Sequence, residues 1–220
     1  NIMFNGMIYN HIELQNNNNY NLLGSSDTEV LINEINTNGY HNIKGMFSIS
    51  IFDENNKTLE LATDLFGQKP LFYNYTEDLL FFSSTLAPLI STDLIKKKID
   101  YKSLNEYELF NFIPAPKTIF ENIFKMDSNQ LLKFKLESDI KLILNAKIKN
   151  TNLSKKNITN YTSFLTETHK VLESSINKHL IADVPISSLQ SGGVDSSLLN
   201  LYLNKLTDIK TYSVIFENKI

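Results

Sequence analysis

Short apolar runs separated by polar turns dominate the first two-thirds of the chain, and helical spacing takes over near its end. Ile2 to Phe4 predicts a short strand closed by the Asn5-Gly6 turn signal. Asn16 to Asn21 reads as a polar loop. Ser26-Asp27-Thr28-Glu29 has the S-x-x-E form of a capping box and opens a helix carrying Val30, Leu31 and Ile35, which stops at Gly39. Met46 to Phe52 is rich in strand formers, and Asp53-Glu54-Asn55-Asn56 predicts a hairpin turn after it. Thr58 to Thr63, Leu71 to Tyr75 and Leu79 to Ser84 continue the antiparallel series, with a small helix starting near Thr85. Asp93 to Leu136 mixes a helical stretch (Leu104 to Phe112) with Pro114-Ala115-Pro116 and further strand-like segments. Ile143 to Asn157 is rich in lysine and asparagine, has no period and reads as a linker.

Tyr161, Phe164, Leu165, Thr168, Val171, Leu172, Ile176, His179 and Leu180 then recur at helical spacing. An apolar run from Val184 to Leu189, a helical period from Leu198 to Leu206 and a second strand from Lys210 follow. Residues 184–216 therefore predict one βαβ unit, and such a unit implies a parallel sheet. One unit cannot cover both faces of a sheet, so this second domain is expected to continue past Ile220.

Composition narrows the classes. A chain of 220 residues with 42% apolar content fits one large or two modest globular domains. A net charge of −3 argues against a nucleic-acid or membrane-surface partner. No apolar stretch approaches bilayer length and no secretory leader is evident, so the expected compartment is the cytoplasm. Cysteine is absent, which excludes disulfides and thiolate zinc sites within these residues. All 21 basic residues are lysine, so no guanidinium fork is available to grip a carboxylate or phosphate. His11, His41, His169 and His179 show no metal-ligand spacing; Lys96-Lys97-Lys98 reads as solvated surface, and Phe72-Tyr73 and Leu80-Phe81-Phe82 as core strands.

The chemistry concentrates in Ser191-Gly192-Gly193-Val194-Asp195-Ser196-Ser197, placed between a strand and a helix. Glycines let the backbone approach an anion and expose successive N–H groups, and the helix start adds unpaired donors and partial positive charge. Asp195 can hold a magnesium ion, and Ser191, Ser196 and Ser197 offer hydroxyls to phosphate oxygens. No lysine follows the glycines, so this is not the G-x-x-x-x-G-K-[ST] phosphate loop.

Ser191–Ser197 resembles the pyrophosphate-binding loop of the ATP pyrophosphatases, which cleave ATP between its α and β phosphates. With Asp183-Val184-Pro185 before it and Lys210-Thr211-Tyr212-Ser213-Val214-Ile215-Phe216 after it, the match narrows to the glutamine-hydrolysing asparagine synthetase family. That resemblance runs from Phe4-Asn5-Gly6-Met7-Ile8-Tyr9-Asn10 to Phe216, and the chain is identified as a fragment of the family cut at both ends. The fold so implied is an α+β N-terminal-nucleophile domain (an αββα sandwich) that is partial, followed by the start of an α/β Rossmann-like ATP pyrophosphatase domain. The expected boundaries are 1–142 for the amidotransferase domain with its joining segment, 143–157 for the linker and 158–220 for the start of the nucleotide domain.

In the family, Asn5 and Gly6 correspond to an oxyanion hole and Asp27, within Ser25-Ser26-Asp27, to the group that holds the α-amino group of glutamine. Met7 stands where the family usually has Glu, its backbone still available to line the pocket. The nucleophilic cysteine and the arginine that grips glutamine are absent, so no catalytic residue is assigned. Thr63-Asp64-Leu65-Phe66-Gly67-Gln68-Lys69-Pro70-Leu71-Phe72 resembles the family run R-D-x-x-G-x-x-P-L-Y; Thr63 for Arg removes an expected ion pair, and the stretch reads as architectural. Ile113-Pro114-Ala115-Pro116-Lys117-Thr118-Ile119-Phe120 also matches, and Met126-Asp127-Ser128-Asn129 replaces a Leu-Pro-Pro-Gly turn in which Asn129 can take positive φ.

The implied reaction is ATP-dependent amidation of aspartate to asparagine through an acyl-adenylate, with ammonia from glutamine. The implied ATP-binding residues are Gln190, Ser191, Gly192, Gly193, Asp195, Ser196, Ser197 and Val214, with Asp195 on Mg2+. Gln190 stands where Leu is usual and would act through its backbone. The partners are glutamine, aspartate and ATP, and the family leaves room for a homodimer. Two alternatives stay open: a paralogous amidotransferase acting on another carboxylate, as in surface-polysaccharide synthesis, and an eroded, non-catalytic relative.

Overall fold

Strand alternation accounts for most of the first half of the molecule. In the computed structural model, residues 1–149, 160–182 and 184–215 are described, and the chain divides into two compact units at residues 151 and 152. The first unit contains β1 (Ile2–Ile8), α1 (His11–Asn18), α2 (Asp27–Asn38), β2 (Gly45–Asp53), β3 (Thr58–Thr63), β4 (Phe72–Tyr75) and β5 (Leu80–Ser83). It continues with α3 (Leu86–Ser91), α4 (Tyr101–Phe110), β6 (Phe124–Lys125), β7 (Gln130–Leu136) and β8 (Ile140–Lys147). Two antiparallel sheets result, one ordered β1-β2-β3-β7-β8 and the other β5-β4-β6.

Side-chain parity on the strands sets four layers. Phe47 and Ile49 of β2 and Ala62 of β3 face Leu14 of α1 and Val30 and Leu31 of α2. On the opposite face, Leu59 and Leu61 of β3 and Leu132 and Phe134 of β7 meet Tyr73 of β4. Beyond the second sheet, Phe72 and Phe81 pack on Leu89 of α3. The order helix, sheet, sheet, helix is the expected αββα sandwich. Each fully buried side chain of this kind, Phe134 and Leu61 among them, stabilises the unit by about 1.5–3 kcal/mol.

Three expectations are corrected. Asn5-Gly6 is not a turn: β1 runs through it to Ile8 in register with β2. The Asn-rich stretch is helical through Asn18, because Leu14 is buried against α2 and tertiary packing overrides weak propensity. Asn19 ends that helix at φ 49°. The segment read as the start of the linker is instead β8, paired with β7 from Ile140 to Lys147. Lys141 and Lys147 lie exposed on this edge strand, where lysine discourages further pairing. Residues 150–157 of the expected linker lie outside the described residues.

The capping box forms in part. Ser26 Oγ accepts from Thr28 N–H at 3.2 Å, while Glu29 bonds the N–H groups of Leu23 and Gly24 rather than that of Ser26. Gly39 closes α2 by donating to Ile35 O.

The second unit contains α5 (Tyr161–His179), β9 (Ser187–Leu189), α6 (Val194–Leu206) and β10 (Lys210–Tyr212), with β9 and β10 parallel as the βαβ reading requires. β9 is shorter than expected, since Val184 and Pro185 lie before it and proline has no N–H to give a ladder. Its core joins Ile176 of α5 to Tyr202 and Leu203 of α6. Asp183 and Phe216 lie outside the described residues.

Candidate functional site

In the first unit the candidate residues gather on the edge of β1 that faces away from β2 and has no partner strand among the described residues. Asn1 and Phe52 exchange backbone hydrogen bonds at 2.8 and 2.9 Å, and Tyr9 N–H donates to Lys44 O at 2.8 Å. Antiparallel alternation then points the backbone groups of odd-numbered residues at β2 and those of Phe4, Gly6 and Ile8 at the open edge. Asp27 Oδ2 accepts the outward N–H of Ile8 at 3.0 Å. Capping of α2 falls to Ser26, so the Asp27 carboxylate is free to serve that edge. The outward N–H of Gly6 lies two residues upstream on the same edge.

Gly6 has no substitute. At φ 152° it lies so close to β2 that a Cβ would fall 2.0 Å from Met46 O. The exposed side-chain amide of Asn5 makes no hydrogen bond among the described residues. It borders a cavity of about 200 Å³ with Ser48, Ser50, Ser83 and Ser84. The hydroxyls of the buried Ser48 and Ser50 likewise have no partner among the described residues. This edge therefore offers donors to one small polar group, from Asn5 and Gly6, with the Asp27 carboxylate nearby. Met7 is left out of the donor set, because its backbone faces β2 opposite Met46.

The stretch from Thr63 to Phe72 holds β2 in place beside this edge. Asp64, 1% exposed, accepts N–H groups from Phe47 (3.0 Å), Phe66 (2.9 Å), Gln68 (2.9 Å) and Lys69 (3.4 Å). Phe47 is the register partner of Gly6. Thr63 forms no ion pair. Its hydroxyl donates to Asp127 O at 2.6 Å and accepts from Gln130 N–H at 3.2 Å, tying down the following turn. In that turn Asn129 takes φ 59° and bonds Lys149 O and N–H, each at 2.9 Å.

In the second unit Gly192 takes φ 84° and Gly193 caps α6 without a side-chain bond. No atom lies within 4 Å of where a Cβ of Gly192 would stand. The N–H groups of Val194, Asp195 and Ser196 precede the first helical bond, Ser197 N–H to Gly193 O at 3.1 Å, and have no partner among the described residues. Three open donors at the start of a 13-residue helix form an anion-binding face. Asp195, in the first turn, has an exposed carboxylate with no partner among the described residues and borders an apolar hollow of about 520 Å³ beside Tyr202. An unpaired carboxylate beside phosphate donors is a suitable oxygen ligand for a phosphate-bound divalent cation.

The serines are engaged with one another. Ser191 and Ser196 hydroxyls lie 2.9 Å apart, and both Ser196 and Ser197 donate to Gly193 O, at 3.1 and 2.8 Å. Gln190 N–H donates to Tyr212 O, which sets the ends of the two parallel strands side by side with Val214 just beyond. Two residues of this network were not anticipated. Asn200 donates to Ser196 O at 2.9 Å and to Gln190 Oε1, and Ser213 Oγ donates to Gln190 O at 2.9 Å. The i, i+4 spacing of Ser196 and Asn200 on a predicted helix was the available signal.

Residues 1–141 match the glutamine amidotransferase domain family, and residues 167–219 match asparagine synthase. The chain is 31% identical over 229 residues to glutamine-hydrolyzing asparagine synthetase 1 of Bacillus subtilis (strain 168), covering 99% of this chain and 35% of that protein. It is 30% identical over 227 residues to a protein of Methanocaldococcus jannaschii provisionally named glutamine-hydrolyzing asparagine synthetase 2, covering 99% and 43% respectively. The chain thus spans between a third and a half of the length of these relatives. Glutamine phosphoribosylpyrophosphate amidotransferase from B. subtilis aligns in three dimensions with a TM-score of 0.42 and 13% identity, over 99% of this chain and 46% of that one.

Proposed function

Because the chain belongs to the glutamine amidotransferase domain family through residues 1–141, we propose that the protein containing it releases ammonia from glutamine and uses it to amidate aspartate at the expense of ATP. The observation that carries this reading is the start of α6. Three N–H groups and a carboxylate that have no partner among the described residues, with a glycine at φ 84°, stand there at the carboxyl ends of two parallel strands. The names of the relatives support asparagine as the product.

In this reading the loop receives the β and γ phosphates. An aspartate side-chain oxygen attacks the α phosphorus, the bond to the β-phosphate bridging oxygen breaks, and pyrophosphate leaves with that electron pair. The N–H groups of Val194, Asp195 and Ser196 are aimed at the charge that grows on the leaving group. Ammonia then adds to the acyl carbon, loses a proton, and AMP departs. Asp195 would hold a magnesium ion, which when bound supplies further positive charge to the phosphate oxygens. In the first unit the Asn5 amide and the Gly6 N–H would receive the oxyanion of the glutamine γ-carbonyl, and Asp27 the α-amino group. The 220 residues contain no cysteine, so the nucleophile is not among them.

The test uses the full-length protein. Asp195→Ala should abolish pyrophosphate release while leaving glutamate release from glutamine intact. Pyrophosphate release at the wild-type rate would remove Asp195 and its loop from the reaction.

A further inference from the structure

We propose that Gln190 is a positioning residue for the phosphate loop: its side chain clasps the beginning of α6 and commits the Ser197 hydroxyl to an internal brace. The proposal rests on the reading of this loop as a nucleotide site.

Four hydrogen-bonding groups of Gln190 are in use, and each ties a different part of the unit. Its N–H donates to Tyr212 O at 2.8 Å, and its carbonyl accepts from Ser213 Oγ at 2.9 Å, which joins β9 to the end of β10. Its Nε2 donates to Ser197 Oγ at 2.8 Å, and its Oε1 accepts from Asn200 Nδ2, which joins β9 to α6 across the glycine turn. Ser197 Oγ therefore accepts from Gln190 while donating to Gly193 O. With its proton on Gly193 O and a lone pair on Gln190 Nε2, it is anchored on both sides and holds the turn closed instead of meeting a phosphate.

Ser191 and Ser196 differ. They bond to each other, Ser196 also donates to Gly193 O at 3.1 Å, and they accept long contacts of 3.3 Å from Gly193 N–H and Ser191 N–H, but neither hydroxyl is bonded to the Gln190 side chain. The three serines thus divide by the Gln190 bond: Ser197, which accepts it, is the brace, while Ser191 and Ser196 are left to exchange their bonds for a phosphate oxygen. Asn200 shows how firmly the clasp is held. Its Nδ2 serves both Gln190 and Ser196, and its Oδ1 is buried without a partner among the described residues. That cost is tolerated because the amide cannot turn without releasing Gln190. An aliphatic side chain at position 190 could fill the same volume but could bridge neither Ser197 nor Asn200.

The experiment compares wild-type full-length protein with Gln190→Met, Ser197→Ala and the double variant. Amide hydrogen exchange is followed over residues 191–200 without ligand, and ATP affinity with magnesium by calorimetry. Gln190→Met should speed exchange in 191–200 but not in α5. It should weaken ATP binding about 3- to 10-fold, the range expected for one lost hydrogen bond. Because both residues act through one bond, adding Ser197→Ala should weaken binding by less than a further factor of about two. Unchanged exchange in Gln190→Met would overturn the clasp. Single-variant effects that multiply in the double variant would overturn action through Ser197. A wild-type protein that binds no ATP would overturn the nucleotide reading itself, even if exchange still responded to Gln190→Met.

Discussion

Replacing Asp64 by asparagine tests whether the Thr63–Phe72 stretch holds the first unit together. The Asp64 carboxylate is 1% exposed and accepts four backbone N–H groups, three on Oδ2 and one on Oδ1. Asparagine keeps the shape but turns one oxygen into a donor. In its least damaging orientation the amide keeps Oδ2 and sets its NH2 against Phe66 N–H. That abandons one charge-assisted bond, worth about 1.5–3 kcal/mol. The bonds from Phe47 and Gln68 survive without the charge, each weaker by about 0.5–1 kcal/mol. The sum is a loss of about 2.5–5 kcal/mol, a large share of the ordinary stability of a domain. For a unit of this size it lowers the midpoint of thermal unfolding by roughly 5–20 °C. Urea unfolding followed by circular dichroism gives the free energy directly. Asp53→Asn, which alters an exposed carboxylate serving a hairpin turn, is the control and should move the midpoint far less. A loss below about 1 kcal/mol for Asp64→Asn would show that these bonds do not carry the stretch.

Three other outcomes follow from the same geometry. Asn129→Ala should cost more than Asn129→Gly, by about 1 kcal/mol, because both lose the bonds to Lys149 but only alanine resists φ 59°; equal losses in urea unfolding would refute the role of the backbone. The phenol of Tyr73 is pushed up to about 12 by burial, with the charges of Tyr75 and Asp127 adding to it. The folded state therefore holds this proton more tightly than the unfolded chain, whose phenol titrates near 10. The stabilisation is complete below pH 10 and is lost as pH rises toward 12, at up to about 1.4 kcal/mol per pH unit. Tyr73→Phe should flatten that decline in urea midpoints, and an unaltered slope would remove Tyr73 as its source. The 220-residue chain should release no glutamate from glutamine, because it contains no cysteine; a coupled glutamate assay above the uncatalysed rate would contradict this.

Where local chemistry and tertiary demand agree, the elements could be read directly. Ser26 and Gly39 bound α2 because each answers a local need, an N–H acceptor at one end and a positive φ at the other. The βαβ order of β9, α6 and β10 was legible for a similar reason, since its glycines stand where the backbone must turn. Asn5-Gly6 misled because the pair is a turn signal by propensity, whereas Gly6 is required here by the approach of β2 to 2.0 Å from where a Cβ would stand. No local pattern reports that distance. β8 was missed because an edge strand with one solvated face needs few apolar residues, so Lys141, Asn145 and Lys147 resembled a linker. The candidate residues themselves could be named from the loop motif and from the family resemblance. What each hydroxyl or N–H is free to do depended on partners far along the chain.

That dependence bears on whether the departures from the family pattern mark a decayed protein. Loss of function leaves vacated contacts, and here the substituted positions Thr63 and Gln190 make hydrogen bonds of their own. Thr63, in place of arginine, ties the Asp127–Gln130 turn with its hydroxyl. Gln190, in place of leucine, bridges Ser197 and Asn200. Each side chain bonds neighbouring groups, so neither position is a vacated contact. Met7 alone replaces a carboxylate with nothing equivalent, and it stands beside Asn5 and Gly6, whose amide and edge N–H remain open. The consequence is specific. Any weakening should be confined to glutamine binding, as a raised KM for glutamine that Met7→Glu lowers, while ATP-dependent amidation fed with free ammonia proceeds unimpaired. Equal impairment with glutamine and with ammonia would favour a decayed relative over a working enzyme with one altered pocket residue.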